Sequence, residues 1–196
     1  MATTRENKTI SQFKSQLIGG GARPNLFEVE LTTLPAGIAW PADNFRYMCK
    51  AAQLPASVIA NIDIPFRGRI FKVAGDRTIE PWSITIINDE DFRIRKAMEE
   101  WVDLIAKLEN NLGATDPSAY MVNAKVFQLG RGSTPSSQTN AGDRNAVLRE
   151  YEFIDIFPTS VSSIDLSYDS SDTIEEFVVD FAVQSFKFVD AGGPNG

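Results

Sequence analysis

The chain has 196 residues with 26 acidic and 19 basic side chains, a formal net charge of −7, one cysteine and no histidine. The lack of histidine removes the usual general base and the commonest metal ligand, a single cysteine excludes an internal disulfide, and the acidic balance disfavours tight binding to nucleic acid. We therefore predict a protein that is not an enzyme and uses no metal or other cofactor. No apolar run approaches the ~18 residues of a membrane span, and no signal peptide is evident, so folding in a cytoplasm is expected.

Residues 1–21 are predicted to form an N-terminal arm. Ile10, Phe13 and Leu17 recur at helical spacing ahead of Gly19–Gly21. This pattern predicts a short helix followed by a glycine hinge. The arm is either a solvated tail or a segment that docks on a neighbouring molecule.

A single domain is predicted over residues 22–188, followed by a flexible tail at 189–196. Within the domain, residues 130–144 read G-R-G-S-T-P-S-S-Q-T-N-A-G-D-R. Small polar residues bury too little surface to become ordered, so this segment is predicted to be a mobile insertion.

The first predicted strand runs from Leu26 to Thr33. Apolar and polar residues alternate along it, with Glu28 and Glu30 on the face away from the core. A return strand is predicted from Phe45 to Cys49, with Phe45, Tyr47 and Cys49 facing inward. In this position Cys49 is a small buried apolar side chain.

The segment from Gln53 to Pro65 is apolar but is bounded by two prolines, which restrict ladder pairing. Two interpretations stay open for it. It is a core strand, or its part from Ala56 to Ile64 is an exposed apolar loop that contacts a partner.

The stretch from Phe66 to Trp101 is predicted to organise the domain. It reads as a strand over 66–73, a turn at 74–77 containing Gly75, and a strand from Trp82 to Ile87. A helix capped by Asn88 or Asp89 follows. Its apolar stripe consists of Ile94, Met98, Trp101, Ile105 and Leu108.

The remaining strands follow this helix. They are predicted over 120–129, 147–157, 161–167 and 173–186, with a turn at Pro158-Thr159 and another over 168–172. In the last strand, Glu176 and Asp180 alternate with apolar residues and face outward. About eight strands and one principal helix predict a mainly β domain of antiparallel sheets, closed as a barrel or stacked as a sandwich.

Three groups of residues suggest other chemistry, and each has a simpler explanation. The carboxylates at 89–91 suggest a magnesium or acid/base site but suit a helix N-terminus better. The carboxylates at 169, 172 and 175 lack the spacing of a calcium loop and are typical of a turn. The cations at 67, 69 and 72 beside Phe66 and Phe71 suggest single-stranded nucleic acid, but pairing with carboxylates fits the net charge better.

Several ordered segments resemble the tail tube proteins of contractile-tailed bacteriophages of the T4-like myovirus group. The main one is V-A-G-D-R-T at 73–78 followed by W-S-I-T-I-I-N-D-E at 82–90. The others are A-R-P-N-L-F-E-V at 22–29, C-K-A at 49–51 with L-P at 54–55, and F-P-T-S-V at 157–161 before E-F at 176–177. Together they cover roughly residues 22–186.

The resemblance implies two roughly orthogonal antiparallel sheets flanked by one helix. It also implies a structural subunit of an inner tail tube, in which hexameric rings stack into a conduit for the genome. Its expected partners are copies of itself, the tail sheath, and the baseplate and terminator proteins, with DNA passing through without tight binding. The expected location is the virion tail, after assembly in the host cytoplasm.

The resemblance also suggests roles for individual residues. Carboxylates that would face the bore and repel DNA phosphate are Glu28, Glu30, Glu176 and Asp180. Cations that would pair between subunits are Arg67, Arg69 and Arg77. The loop expected to stack rings contains Ser57, Val58, Ile59, Asn61 and Ile62. The insertion is expected on the outer surface.

Three alternatives remain open at this stage. The first is the tube of a related contractile injection or type VI secretion system. The second is a terminal or baseplate member of the tube family. The third is a soluble ligand-binding β-barrel, which would need an internal cavity with converging polar groups.

Overall fold

The computed structural model describes residues 9–17, 21–31, 33–110, 112–130 and 147–190. The helices in these ranges are α1 (Ile10–Gln16), α2 (Ala42–Met48) and α3 (Arg93–Ile105), with a 3₁₀ turn at Pro117–Ala119. The strands are β1 (Phe27–Glu30), β2 (Cys49–Ala52), β3 (Ser57–Phe66), β4 (Arg69–Ile79), β5 (Trp82–Ile87), β6 (Val122–Leu129), β7 (Val147–Val161) and β8 (Glu176–Asp190). Apart from Gly130, the predicted insertion at 130–144 lies outside the described residues.

The strands form two sheets. One has six strands in the order β1-β6-β7-β8-β5-β2, and the other is the two-stranded β3–β4 hairpin. The pairs β2–β5, β5–β8 and β3–β4 are antiparallel. The prediction of a mainly β domain with two antiparallel sheets and one principal helix is confirmed.

The chain divides into two compact units. One comprises Met1–Glu28, Phe127–Glu150 and Val189–Gly196, and it contains α1. The other comprises Val29–Val126 and Tyr151–Phe188, and it contains α2, α3 and the hairpin. The predicted boundaries of the arm, the domain and the tail remain predictions. The short helix predicted in the arm is confirmed as α1, which begins with a capping box between Thr9 and Gln12.

The main core lies between α3 and one face of the six-stranded sheet. Pairing of β5 with β8 places Trp82 opposite Phe181 and Ile86 opposite Phe177, and all four side chains are buried. The Trp101 ring of α3 lies 5.8 Å from that of Phe181. The alternation predicted for β8 is confirmed, since Phe177, Val179 and Phe181 are buried, and β5 shows the same alternation.

The helix begins later than predicted. Backbone pairing continues through Asn88, whose N–H donates to Glu175 O at 2.9 Å, and Asp89 lies in the following turn. The residue before the helix is Phe92, in a left-handed conformation with φ of 53° and no side-chain cap. The prediction that Asn88 or Asp89 caps the helix is therefore wrong. The prediction that Leu108 belongs to the apolar stripe is also wrong, because this residue lies beyond the end of α3 and is 95% exposed.

The predicted return strand from Phe45 to Cys49 is wrong, because residues 42–48 form α2. Phe45 is fully buried and lies 4.9 Å from the Trp40 ring, whereas Tyr47 is 84% exposed rather than inward. A short apolar run cannot distinguish a strand from a helical turn by periodicity alone. Cys49 is buried at the start of β2, as predicted.

The turns predicted at 74–77 and at Pro158-Thr159 are wrong, because both segments lie inside strands. Residues 74–77 lie within β4, and β7 continues through Pro158 to Val161. The predicted strand at 161–167 is wrong beyond Val161, because residues 162–167 have no regular structure. The turn predicted over 168–172 is confirmed, because residues 168–169 and 171–172 form turns.

Candidate functional site

The β3–β4 hairpin is exposed along almost its whole length. Its strands pair from Ser57 with Ile79 to Phe66 with Arg69, which leaves a two-residue loop. Arg67 and Gly68 fill this loop with φ of 47° and 79°, the signs that a type I′ hairpin turn requires. Glycine suits the second position because it adopts positive φ without a steric cost.

Gly75 has a different role within β4. A β-carbon at this position would lie 3.0 Å from Ala60 O and 3.2 Å from Ile62 Cγ1. The strands also shift register between Ile59 and Asn61, directly opposite this point. Glycine therefore permits a close approach of the two strands at an irregularity of the ladder.

The hairpin carries many large apolar side chains that the rest of the chain leaves uncovered. All ten residues of β3 are exposed, and both phenylalanines near the tip, Phe66 and Phe71, are 65% exposed. The other exposed apolar residues are Val58, Ile59, Ile62, Ile64, Ile70 and Val73. Because an isolated two-stranded hairpin is marginal in water and large exposed apolar patches mark interaction sites, this surface is suited to a partner.

Cations flank these apolar side chains. Arg67 lies in the turn with its guanidinium 5.3 Å from the Phe66 ring, and Arg69 starts β4. Arg77, nearer the base, lies 5.3 Å from the Phe186 ring. In the described part of the chain none of these three arginines forms an ion pair with a carboxylate.

The structure thus brings two sets of predicted residues into one element. The residues predicted to stack rings all lie in β3, and the arginines predicted to pair between subunits lie in the turn and in β4. Residues 57–65 of the Gln53–Pro65 segment lie in a strand, but an exposed one, so the segment combines features of both earlier interpretations. The apolar residues of β4 and the tip were not predicted to belong to this surface. The Arg67-Gly68 dipeptide between two apolar runs was the signal that identifies this hairpin.

A second surface is the face of the six-stranded sheet that lies away from α3. Asp180 of β8 accepts a hydrogen bond from the hydroxyl of Ser83, its register partner on β5. Glu176 forms an ion pair with Lys50 at 2.5 Å. Their predicted outward direction is confirmed, because the alternate residues Phe177 and Phe181 fill the core.

The two remaining predicted carboxylates lie in β1, at the other edge of the sheet order. Glu30 forms an ion pair with Arg46 of α2 at 2.6 Å, and both side chains are partly exposed. Glu28 is half-buried. Glu30, Glu176 and Asp180 therefore accept hydrogen bonds from donors of the same chain.

Two of the carboxylates at 89–91 have structural partners. Asp89 accepts a hydrogen bond from Asn44 Nδ2 at 2.9 Å, and Asp91 pairs with Arg93. Glu175 accepts one from Asn88 Nδ2 at 2.9 Å. Within the described ranges, no group of three or more cysteine, aspartate or glutamate side chains is arranged to hold a metal ion.

Cys49 is buried, and its thiol donates a weak hydrogen bond to Ala51 O at 3.7 Å. Burial raises the pKa of its thiol to about 12, so the thiol form persists at neutral pH. None of the helices in the described part of the chain has the length and apolar character needed to cross a membrane.

Comparison with known sequences gives a family match over most of the chain. A family model described as phage tail tube protein matches residues 22–189. Tail tube protein gp19 of Enterobacteria phage T4 is 34% identical over 165 residues, which cover 84% of this chain and 90% of the phage protein.

Comparison with solved structures finds the same fold. A chain in the cryo-EM structure of the anti-feeding prophage baseplate, 6-fold symmetrised, has a TM-score of 0.61 at 10% identity and covers 87% of this chain and 96% of its own. A chain of the anti-feeding prophage tube-terminating cap has a TM-score of 0.57 at 15% identity, with coverage of 97% and 100%. At these identities the similarity concerns the fold alone.

Proposed function

The chain belongs to the phage tail tube protein family, and we propose that it is the structural subunit of the inner tube of a contractile phage tail. Rings of six subunits stack into a hollow conduit that carries the genome to the host. Because the family is structural, the chain is a component of the virion tail and not an enzyme, as predicted. The observation that carries the proposed assembly is the long hairpin with apolar residues exposed on both strands.

The hairpin is the contact between subunits in this proposal. Its apolar residues become buried only when another molecule covers them, and its arginines then reach carboxylates of that molecule. The roles predicted for Arg67, Arg69 and Arg77 in pairing and for β3 in ring stacking are retained on this basis. Covering the hairpin also protects the unpaired edges of β3 and β4, which would otherwise promote aggregation.

The sheet face with Glu176 and Asp180 is proposed to line the bore, together with Glu28 and Glu30. Support comes from the pairing of Lys50 and Arg46 with carboxylates, because cations held in ion pairs are less available to DNA phosphate. An acidic protein with a net charge of −7 also repels DNA overall. DNA would then pass without tight binding.

The proposed partners of the tube are the tail sheath, the baseplate and the tail terminator, with assembly in the host cytoplasm. The fold of this chain occurs in an anti-feeding prophage baseplate and in its tube-terminating cap. A tube in another contractile injection or secretion system and a terminal or baseplate role therefore remain the alternatives. The phage tube is favoured because identity is 34% to gp19 of phage T4 and only 10–15% to the prophage chains.

A ligand-binding barrel is disfavoured by the core. The Trp82 ring stacks on Phe153 at 4.4 Å and lies 5.4 Å from Phe181. These buried aromatic side chains fill the space beside the sheet that a ligand cavity would need.

Negative-stain electron microscopy of the purified protein over a concentration series tests the proposed function. Annular rings or hollow cylinders with sixfold end views are expected as the concentration rises. If the protein stays monomeric even when baseplate or sheath is added, the tube function is contradicted.

A further inference from the structure

A second exposed surface has the opposite charge to the hairpin. Residues 162–174, between β7 and β8, contain Asp165, Asp169 and Asp172 and no lysine or arginine. All three carboxylates are exposed, and within the described ranges none forms an ion pair. We refer to residues 162–174 as the acidic segment.

The acidic segment also exposes large apolar side chains. Leu166 is 80% exposed and Ile174 is 71% exposed, and Tyr168 is fully exposed. Hydrogen bonds of the segment at 167–173 are local, as between Asp169 N–H and Ser167 Oγ at 3.3 Å. Exposed leucine, isoleucine and tyrosine side chains in a segment that also carries carboxylates are suited to contact a partner.

The hairpin complements this surface in both respects. It carries four cations, Arg67, Arg69, Lys72 and Arg77, against two carboxylates, Asp63 and Asp76. It also exposes apolar side chains, which remain uncovered while the acidic segment of the same chain is itself exposed. The two surfaces therefore do not cover each other within one molecule, and the complementary charge identifies a second copy as the occupant.

We propose that the hairpin of one subunit docks on the acidic segment of another. The inference rests on the proposed tube function and adds to it the surface that receives the hairpin. The contact joins two different surfaces, so it is heterologous and leaves a free hairpin and a free acidic segment at opposite ends of each pair. Such a contact continues from copy to copy, as a stacked assembly requires.

Paired charge reversals test the docking. One variant carries Arg67→Glu with Arg69→Glu, and a second carries Asp165→Lys with Asp169→Lys. Each alone is expected to raise the critical concentration for assembly at least tenfold, because like charges would face each other. All four changes in one chain should restore assembly to within about threefold of the native protein, and so should an equimolar mixture of the two variants.

A control variant carries the same charge change elsewhere. Asp103 and Glu109 are exposed, and Asp103→Lys with Glu109→Lys should assemble as the native protein does. Circular dichroism and thermal unfolding of each unassembled variant verify that it is folded. Native-like assembly of the variant with a reversed acidic segment, or failure of the four-change variant to recover, overturns the docking proposal.

Photocrosslinking gives an independent measurement. Phe71 is replaced by p-benzoylphenylalanine in isotopically light protein, which is assembled with heavy protein and irradiated. Light-to-heavy crosslinks should map to residues 162–174, and crosslinks confined to other segments overturn the proposal. If the native protein forms no rings or cylinders at all, the tube function itself fails, whereas assembly that ignores the acidic segment removes only the docking.

Discussion

Replacing Phe71 with serine should weaken assembly without destabilising the isolated subunit. Phe71 is 65% exposed in the single chain, so the folded subunit gains little from its burial. A phenylalanine side chain presents roughly 200 Å² of surface, and full cover by a neighbour would bury about 130 Å² of it, worth about 3 kcal/mol at about 25 cal/mol per Å². Because association also orders side chains, we expect Phe71→Ser to weaken the free energy of association by about 1–3 kcal/mol. This loss raises the critical concentration for assembly roughly 5- to 150-fold.

The assay is sedimentation of assembled material over a dilution series, with thermal unfolding measured on dilute, unassembled protein. Leu108→Ser is the matched control, because Leu108 is 95% exposed but lies outside the hairpin. Its critical concentration should stay within about twofold of native. The reasoning that the hairpin is buried on assembly would be refuted if the critical concentration rose equally for both variants, or if it did not rise for Phe71→Ser.

Four further predictions concern the turn, the core, the thiol and the bore. Gly68→Val should destabilise the folded hairpin by about 1–2 kcal/mol, because a β-branched residue is strained at φ of 79°. Backbone amides of β3 and β4 should then exchange hydrogen roughly 5- to 30-fold faster, and unchanged exchange rates would contradict this prediction. Trp101→Ala should cost about 3–5 kcal/mol of unfolding free energy in urea, because the side chain is fully buried, and a loss below about 1 kcal/mol would contradict its place in the core. The pKa of Cys49 is raised from 9.0 to about 12 in the folded protein, so the thiol of the unfolded chain loses its proton at lower pH. The free energy of unfolding should therefore fall by about 1.4 kcal/mol per pH unit between about pH 9 and 12 because of this group. Cys49→Ala should lack that slope when unfolding in urea is measured over this pH range. Glu176→Lys with Asp180→Lys should slow genome delivery at unchanged tube length, because cations facing the bore would bind phosphate, and normal delivery would remove these residues from the bore.

Strict alternation was reliable evidence in the sequence. Val179 and Phe181 are buried while Asp180 faces outward, as the period of two predicted. The helical spacing of Ile94, Met98 and Trp101 likewise predicted the buried stripe of α3. These elements pack on a single core, so local pattern and tertiary environment agree.

Short apolar segments were predicted less well. Residues 42–48 fit either a strand or a helical turn, and burial of Phe45 beside Trp40 accompanies the helix. Gly75 was interpreted as a turn residue, although the close approach to Ala60 places it inside a strand. For Gly75, the neighbouring residue Ala60 lies on another strand, and no local sequence pattern records such a contact.

The sequence by itself determined the class of the fold, the lack of histidine-based chemistry and the family, because residue types, periodicity and ordered motifs are all local properties. Tertiary structure alone placed the predicted arginines and stacking residues on one exposed hairpin, and it alone paired Glu176 with Lys50 across the chain. It also showed that residues 162–174 expose carboxylates and apolar side chains together. Exposure depends on which distant residues cover a side chain, so it is decided only when the whole chain has folded.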